Sequence, residues 1–265
     1  MTPIVIAQVS DLHFGREIPR IADALCADLH ALRPSLVAVC GDLTQSARGP
    51  EFAAARRYVD ALPTPRLVVP GNHDLPGLRV WSRVVSPWRR WTQAFGDPHR
   101  VQSMRGDGFV AVGVNTARQW HAALDWSRGR INPMQLDAIT HAFDAAPEPA
   151  LRVLLAHHPF ALVEAHSGRR TVGRAALALR TLARARTDLV LGGHVHVGYS
   201  AIAGGMVVAQ SGTAFSSRLK GEPNGYNVIR AGAAALTVDA MRWDGAAFAV
   251  FATTRYVRDG AGWRA

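Results

Sequence analysis

The chain is poor in cysteine and in long apolar runs, and each shortage excludes a class of protein. Its 265 residues include two cysteines, Cys26 and Cys40, both in apolar surroundings. They are expected to be buried thiols of a reducing cytoplasm, not the frame of a disulfide-stapled domain. No uninterrupted apolar run reaches the roughly 18 residues that a bilayer span requires. The opening stretch "MTPIVIAQVSDLHFG" has no basic flank and no small-residue cleavage site, so it does not read as a signal peptide. Internal repeats, low-complexity segments and obvious linkers are missing too.

Arginine, by contrast, is abundant. Lys and Arg together number 30 against 20 Asp and Glu, for a formal net charge of +10. A positive field favours anionic partners such as nucleotides, nucleic acid or phospholipid, without choosing among them. A solvated basic face would give the same total. With 48% hydrophobic and 19% charged residues, the composition is otherwise that of a globular chain able to bury a sizeable core.

Short apolar runs alternate with helical periodicity through the first two thirds. Strands are predicted at 4–10, 35–40, 66–70, 108–115, 151–157 and 188–193. Helices are predicted from 18 to 32, ending before Pro34, and over 50–62, 133–145 and 174–184. After residue 200 the runs "GMVVAQSG", "YNVIRAG", "AALTVDAMRW" and "AAFAVFATTRYV" read as consecutive strands of an antiparallel section. One domain of layered sheets with outer helices, spanning 1–265, accounts for this order.

Five of the predicted strand ends carry polar clusters: "SDLHFG", "CGDLTQ", "PGNHD", "LAHHPF" and "GGHVHVG". In open α/β sheets ligands gather at the carboxyl ends of the strands, so five loops would deliver side chains to one place. Each motif alone fits a turn or a helix cap. Their coincidence does not. Carboxylates and imidazoles without any thiolate argue against a structural zinc site and for catalytic divalent metals.

The ordered set D-x-H, G-D, G-N-H-D, H, G-H-x-H, running from residue 11 to 196, resembles the calcineurin-like metallophosphoesterases. Within them, "GDLTQ", "PGNHD", "AHHP", "GHVH" and "SGTAFSSRLKGEPNGYN" are similar to the bacterial class III cyclic-nucleotide phosphodiesterase branch. The resemblance implies a four-layer α/β-β/α sandwich of two mixed sheets flanked by helices, with a dinuclear metal site at the C-terminal strand edge. It assigns Asp11, His13 and His196 to one metal and Asn72, His157 and His194 to the other, with Asp42 bridging. His157 is preferred to His158 because the family pattern is His-x-Pro, which Pro159 sets in register. A homodimer is a further implication.

Two metals roughly 3.5–4 Å apart acidify a bridging water and clamp phosphoryl oxygens, the needs of phosphodiester hydrolysis. The donor set suits manganese, iron, zinc or cobalt. His73 is the candidate to supply a proton to the leaving alkoxide, against a purely structural role. Asp74 either orients the His73 ring or stabilises the turn. Asn72, His73 and Arg218 are candidate substrate contacts, with Lys220 beside them. His158 is expected in a supporting or packing contact, and Asn115 in a turn.

The segment "RVWSRVVSPWRRWTQAF" stands apart. Trp81, Trp88 and Trp91 interleave with Arg79, Arg83, Arg89 and Arg90, and Pro87 interrupts any helix. Packing of its tryptophans on the body or on a second subunit is favoured, with 79–105 as a cap or interface segment. A nucleic-acid platform and a membrane-surface patch are the competing readings.

Together these point to a cytoplasmic, metal-dependent phosphodiesterase of small nucleotides, 3′,5′-cyclic AMP first. The alternatives are a UDP-diacylglucosamine-type pyrophosphate hydrolase at the membrane surface, a nuclease, and a non-enzymatic scaffold.

Overall fold

The computed structural model describes residues 3–77, 80–120, 127–148, 150–163, 168, 170–260 and 262–265. Arg79 therefore lies outside the described residues. Strands β1 (Ile4–Val9), β2 (Leu36–Cys40) and β3 (Arg66–Val69) run parallel, with α1 (Pro19–Leu32) and α2 (Gly49–Ala61) as crossovers. Both helices carry proline in the first turn, where its missing N–H has no intrahelical partner to lose. Past β1 the sheet continues antiparallel through β10 (Gly225–Ala231), β11 (Ala235–Trp243), β12 (Phe248–Asp259) and β13 (Gly262–Arg264), seven strands in all.

The second sheet has six strands in the order β4-β5-β6-β7-β9-β8. These are β4 (Gln102–Gly106), β5 (Phe109–Gly113), β6 (Leu151–Leu155), β7 (Leu189–Gly192), β8 (Tyr199–Ala203) and β9 (Met206–Gln210). Helices α5 (Pro133–Asp144) and α6 (Ala175–Arg184) cover its outer face. Between the sheets lies a core that includes Ile6, Leu36, Leu67, Val153, Leu189 and Val207. A second core joins the first sheet to α1 and α2, so the layers follow the order helix, sheet, sheet, helix.

One sequence expectation fails here. "GMVVAQSG" does not open an antiparallel section with the strands that follow it. It forms β9, which pairs in parallel with β7, whereas β10 to β13 belong to the other sheet. All five residues of β9 are buried, as a strand covered on both faces requires. Strands β4 and β8 escape the sequence pattern because each is an edge strand with no fully buried position.

The aromatic-basic segment becomes α3 (Val80–Val85) and α4 (Arg89–Phe95), separated at Pro87. Trp91 is buried, its ring 6.4 Å from Phe52 of α2, and Trp88 is buried beside it in the same core. Both cysteines are free thiols; Cys40 is buried and Cys26 half-buried.

Candidate metal centre

Five strands, β1, β2, β3, β6 and β7, end at one edge of the sandwich, where Asp11, Asp42, Asn72, His157 and His194 follow them. The polypeptide is strained there. Asp11, His13, Asp42, His194 and His196 all take positive φ, between 46° and 72°. Non-glycine residues pay about 1–3 kcal/mol each for such conformations, which persist only where the surroundings over-determine them. The glycines beside them serve space as much as turning. A Cβ on Gly193 would lie 1.8 Å from Ser10 Oγ and 2.5 Å from Asp11 Oδ2.

Two groups of donors result. In the first, His13 Nε2 and His196 Nε2 stand 3.4 Å apart, with Asp11 Oδ1 at 3.6 and 3.2 Å from them and Asp42 Oδ2 at 3.8 Å from His13. In the second, Asn72 Oδ1 is 3.2 Å from His157 Nε2 and 3.0 Å from His194 Nδ1, while Asp42 Oδ1 is 3.3 Å from His157. Asp42 faces both groups. Its Oδ1 also accepts a hydrogen bond from the His73 backbone N–H at 2.8 Å.

The surrounding hydrogen bonds orient these rings. His196 Nδ1 donates to the carbonyl of Arg218 at 2.9 Å, which turns the Nε2 lone pair toward Asp11 and His13. Ser10 Oγ donates to Asp11 Oδ2 at 2.7 Å, and the His194 backbone N–H donates to the same oxygen at 2.9 Å. The other oxygen, Asp11 Oδ1, is buried without a hydrogen-bond partner. A buried carboxylate oxygen crowded by imidazole lone pairs fits a cation, and the Asp11, His13, Asp42 and His196 atoms lie within ligating reach of one another.

The protonation states agree with that fit. Burial works against ionisation of Asp11, but the adjacent His196, His13 and His157 outweigh it and hold the carboxyl well below its usual range. Asp42 is held low in the same way, by His157 and His73 against its burial. Burial, reinforced by His157, pushes His194 down to about 3, and burial also lowers His196. Ionised carboxylates and neutral imidazoles are the forms that bind metal. His157 is the exception: burial opposes its charge, yet Asp42 raises it to about 9, so a cation would displace its proton.

His158 lies near His157 and His194, but both of its ring nitrogens are engaged. Nε2 donates to the Ser127 carbonyl at 2.8 Å and Nδ1 accepts from Thr116 Oγ1 at 2.8 Å. Asp74 shares no hydrogen bond with the His73 ring. It accepts from the backbone N–H groups of Gly71, Leu43 and Thr44, the turn-stabilising alternative, and burial raises it to about 6. Asn115 Oδ1 accepts from the Ala117 N–H in a turn.

His73 Nδ1 donates to the Gln45 carbonyl at 2.8 Å, so its Nε2 accepts from Arg218 Nη1, also at 2.8 Å. Asp42, Asn72, His73, His194 and His196 line a cleft of about 340 Å³ together with Arg218 and Lys220. Its lining also includes Arg128 and Arg170, which no local sequence motif singles out. Thr213, whose hydroxyl lies 3.0 Å from His196 Nδ1, was equally silent, although it sits within the quoted "SGTAF".

Among known proteins, a probable cyclic nucleotide phosphodiesterase from Synechococcus sp. is 27% identical over 168 residues, covering 60% of this chain and 59% of that protein. The glycerophosphodiester phosphodiesterase GpdQ of Enterobacter lignolyticus is 34% identical over 83 residues, 27% of this chain and 30% of its own length. The chain thus spans less than two thirds of either relative. The purple acid phosphatase of yellow lupin seeds superposes with a TM-score of 0.69 at 15% identity, covering 98% of this chain and 54% of that one, a likeness of fold. The sequence model of the calcineurin-like phosphoesterases matches residues 4–198, which takes in the five strand ends that converge on the site, and the chain belongs to that family.

Proposed function

We propose that the chain is a metal-dependent phosphodiesterase of small nucleotide substrates, with 3′,5′-cyclic AMP the leading candidate. The observation that carries this reading is the convergence of Asp11, His13, Asp42, Asn72, His157, His194 and His196 on one strand edge, with Asp11 Oδ1 buried and unpartnered. Asp11, His13 and His196 would hold one cation and Asn72, His157 and His194 the other, Asp42 bridging. A divalent pair bound there supplies an activated water and neutralises phosphoryl charge.

The chain's own residues do the rest. Arg218, Lys220, Arg128 and Arg170 line the cleft and attract an anionic substrate. No aromatic side chain other than histidine lines it among the described residues, which favours contacts to phosphate over stacking on a base. Arg218 donates to His73 Nε2; a phosphate oxygen would draw the guanidinium away, leaving the Nε2 lone pair free to take a proton from the attacking water and pass it to the leaving alkoxide. Arg218→Ala is therefore expected to lower kcat/KM by about 10- to 100-fold, as loss of one charge-assisted hydrogen bond does. Metal content measured by elemental analysis should stay unchanged; a wild-type kcat/KM would remove Arg218 from the substrate site.

Chelated protein is expected to lose hydrolysis of bis(p-nitrophenyl) phosphate and to regain it with manganese. Full turnover in metal-stripped protein would overturn the reading. A panel of cyclic AMP, glycerophosphodiesters, lipid-linked pyrophosphates and oligonucleotides then ranks the substrates, and preference for the lipid-linked pyrophosphate would favour the membrane-surface alternative.

A further inference from the structure

The aromatic-basic segment divides into a packed part and an exposed part. Trp88 and Trp91 are buried, whereas Trp81 is 83% exposed and Val85 75%. Val84 and Trp120 are exposed as well. These side chains share one platform, because the buried Arg83 clamps α3 to the segment 116–120. Its guanidinium donates to the carbonyls of Gln119, Pro76 and Arg118 at 2.8–2.9 Å, and Gln119 Nε2 donates back to the carbonyls of Arg83 and Val84.

Two loops link the platform to the metal centre. Trp81 and Val85 border a groove of about 320 Å³ with Ala47 and Pro76, which lie on the loops that carry Asp42 and Asn72. Its surroundings are basic. Arg89 and Arg130 are exposed, and Arg118 has its pKa depressed by burial and by the neighbouring Arg130 and Arg128, a mark of gathered like charge.

Three occupants suit exposed tryptophan beside arginine, and two fit poorly. A second copy would set basic surface against basic surface. Single-stranded nucleic acid would stack on the tryptophans but leave Val84 and Val85 without use. At a lipid surface, tryptophan rings sit at headgroup level, aliphatic side chains reach the acyl boundary and arginines meet phosphates.

We propose that α3 and the segment 116–120 form a docking surface for an anionic phospholipid bilayer, with Trp81, Val85 and Trp120 entering the headgroup layer and Arg89, Arg118 and Arg130 meeting lipid phosphates. Docking there does not depend on which phosphodiester the cleft hydrolyses.

The test is co-sedimentation of the full chain with vesicles of phosphatidylcholine, alone or mixed with phosphatidylglycerol. Binding is expected with the mixed vesicles and to weaken with added salt. Trp81→Ser combined with Val85→Ser should reduce it by about tenfold or more, because both apolar side chains then stay in water. Both positions are exposed, so the circular dichroism should not change. Phe251→Ser, at an exposed position of β12 remote from β3 in the first sheet, should bind as the parent does. Equal sedimentation with neutral and anionic vesicles would overturn the proposal. So would a double variant that binds normally, or one whose only defect is a lost dimer in sedimentation velocity or lost capture of an oligonucleotide.

Discussion

Asp42→Asn is expected to reduce metal-dependent phosphodiester turnover by on the order of 10²–10³-fold, the scale on which single electrostatic contributors to a transition state act. The substitution keeps the side chain's shape and an oxygen for the His73 backbone N–H, which donates to Oδ1 at 2.8 Å. What it removes is the negative charge between the two donor groups. Asp42 Oδ1 is 3.3 Å from His157 and Oδ2 is 3.8 Å from His13, so its two oxygens face different donor groups. Elemental analysis should show fewer bound cations per chain. The thermal stabilisation that added manganese confers on the parent should shrink with it, since stabilisation by a ligand grows with the logarithm of its affinity for the native state. A variant with parental turnover and metal content would mean that Asp42 does not bridge.

Gly71→Ala is the second large effect, and it comes from space. The backbone at Gly71 is ordinary, with φ −108° and ψ −175°, and alanine adopts it without strain. A Cβ there would nevertheless lie 2.1 Å from Asp42 Oδ1 and 2.3 Å from the Asp42 backbone nitrogen. One of these atoms is backbone and the other is held by the His73 backbone N–H, so Asp42 must move. Overpacking of this kind costs about 1–3 kcal/mol of stability. Displacing a metal-site residue by about 1 Å can cost 10²-fold in rate. The expected result is a folded protein with turnover reduced by about 10²-fold or more. Gly49→Ala, where a Cβ meets nothing within 4 Å, serves as the neutral control. Parental activity in Gly71→Ala would show that the loop holding Asp42 yields more readily than its packing suggests.

Asp74 shows how far a motif can be read. In "PGNHD" the acidic residue follows His73 directly, and sequence leaves open whether it orients the ring or the turn. The structure chooses the turn, because three backbone N–H groups from two loops point at its carboxylate. Two of those donors, at Leu43 and Thr44, lie about thirty positions from Asp74, a distance that no local pattern spans. The same limit separates Trp81 from Trp88 and Trp91. All three look alike in the chain, yet their exposures run from 83% to 8% and 1%.

Local pattern was enough to mark the strands of the parallel halves, the helices between them and the polar residues at the strand ends. Apolar runs, helical periodicity and proline are short-range signals, and they report burial and chain reversal directly. The family match covers that same stretch, residues 4–198. Tertiary structure alone decided that β9 joins β7 while β10 joins β1. It also decided that five metal-edge residues adopt left-handed backbone, and that Arg218 holds His196 by its carbonyl and His73 by its guanidinium. These are contacts between segments distant in the chain. Their energies arise only once two sheets close on a common core, and no window of neighbouring residues carries them.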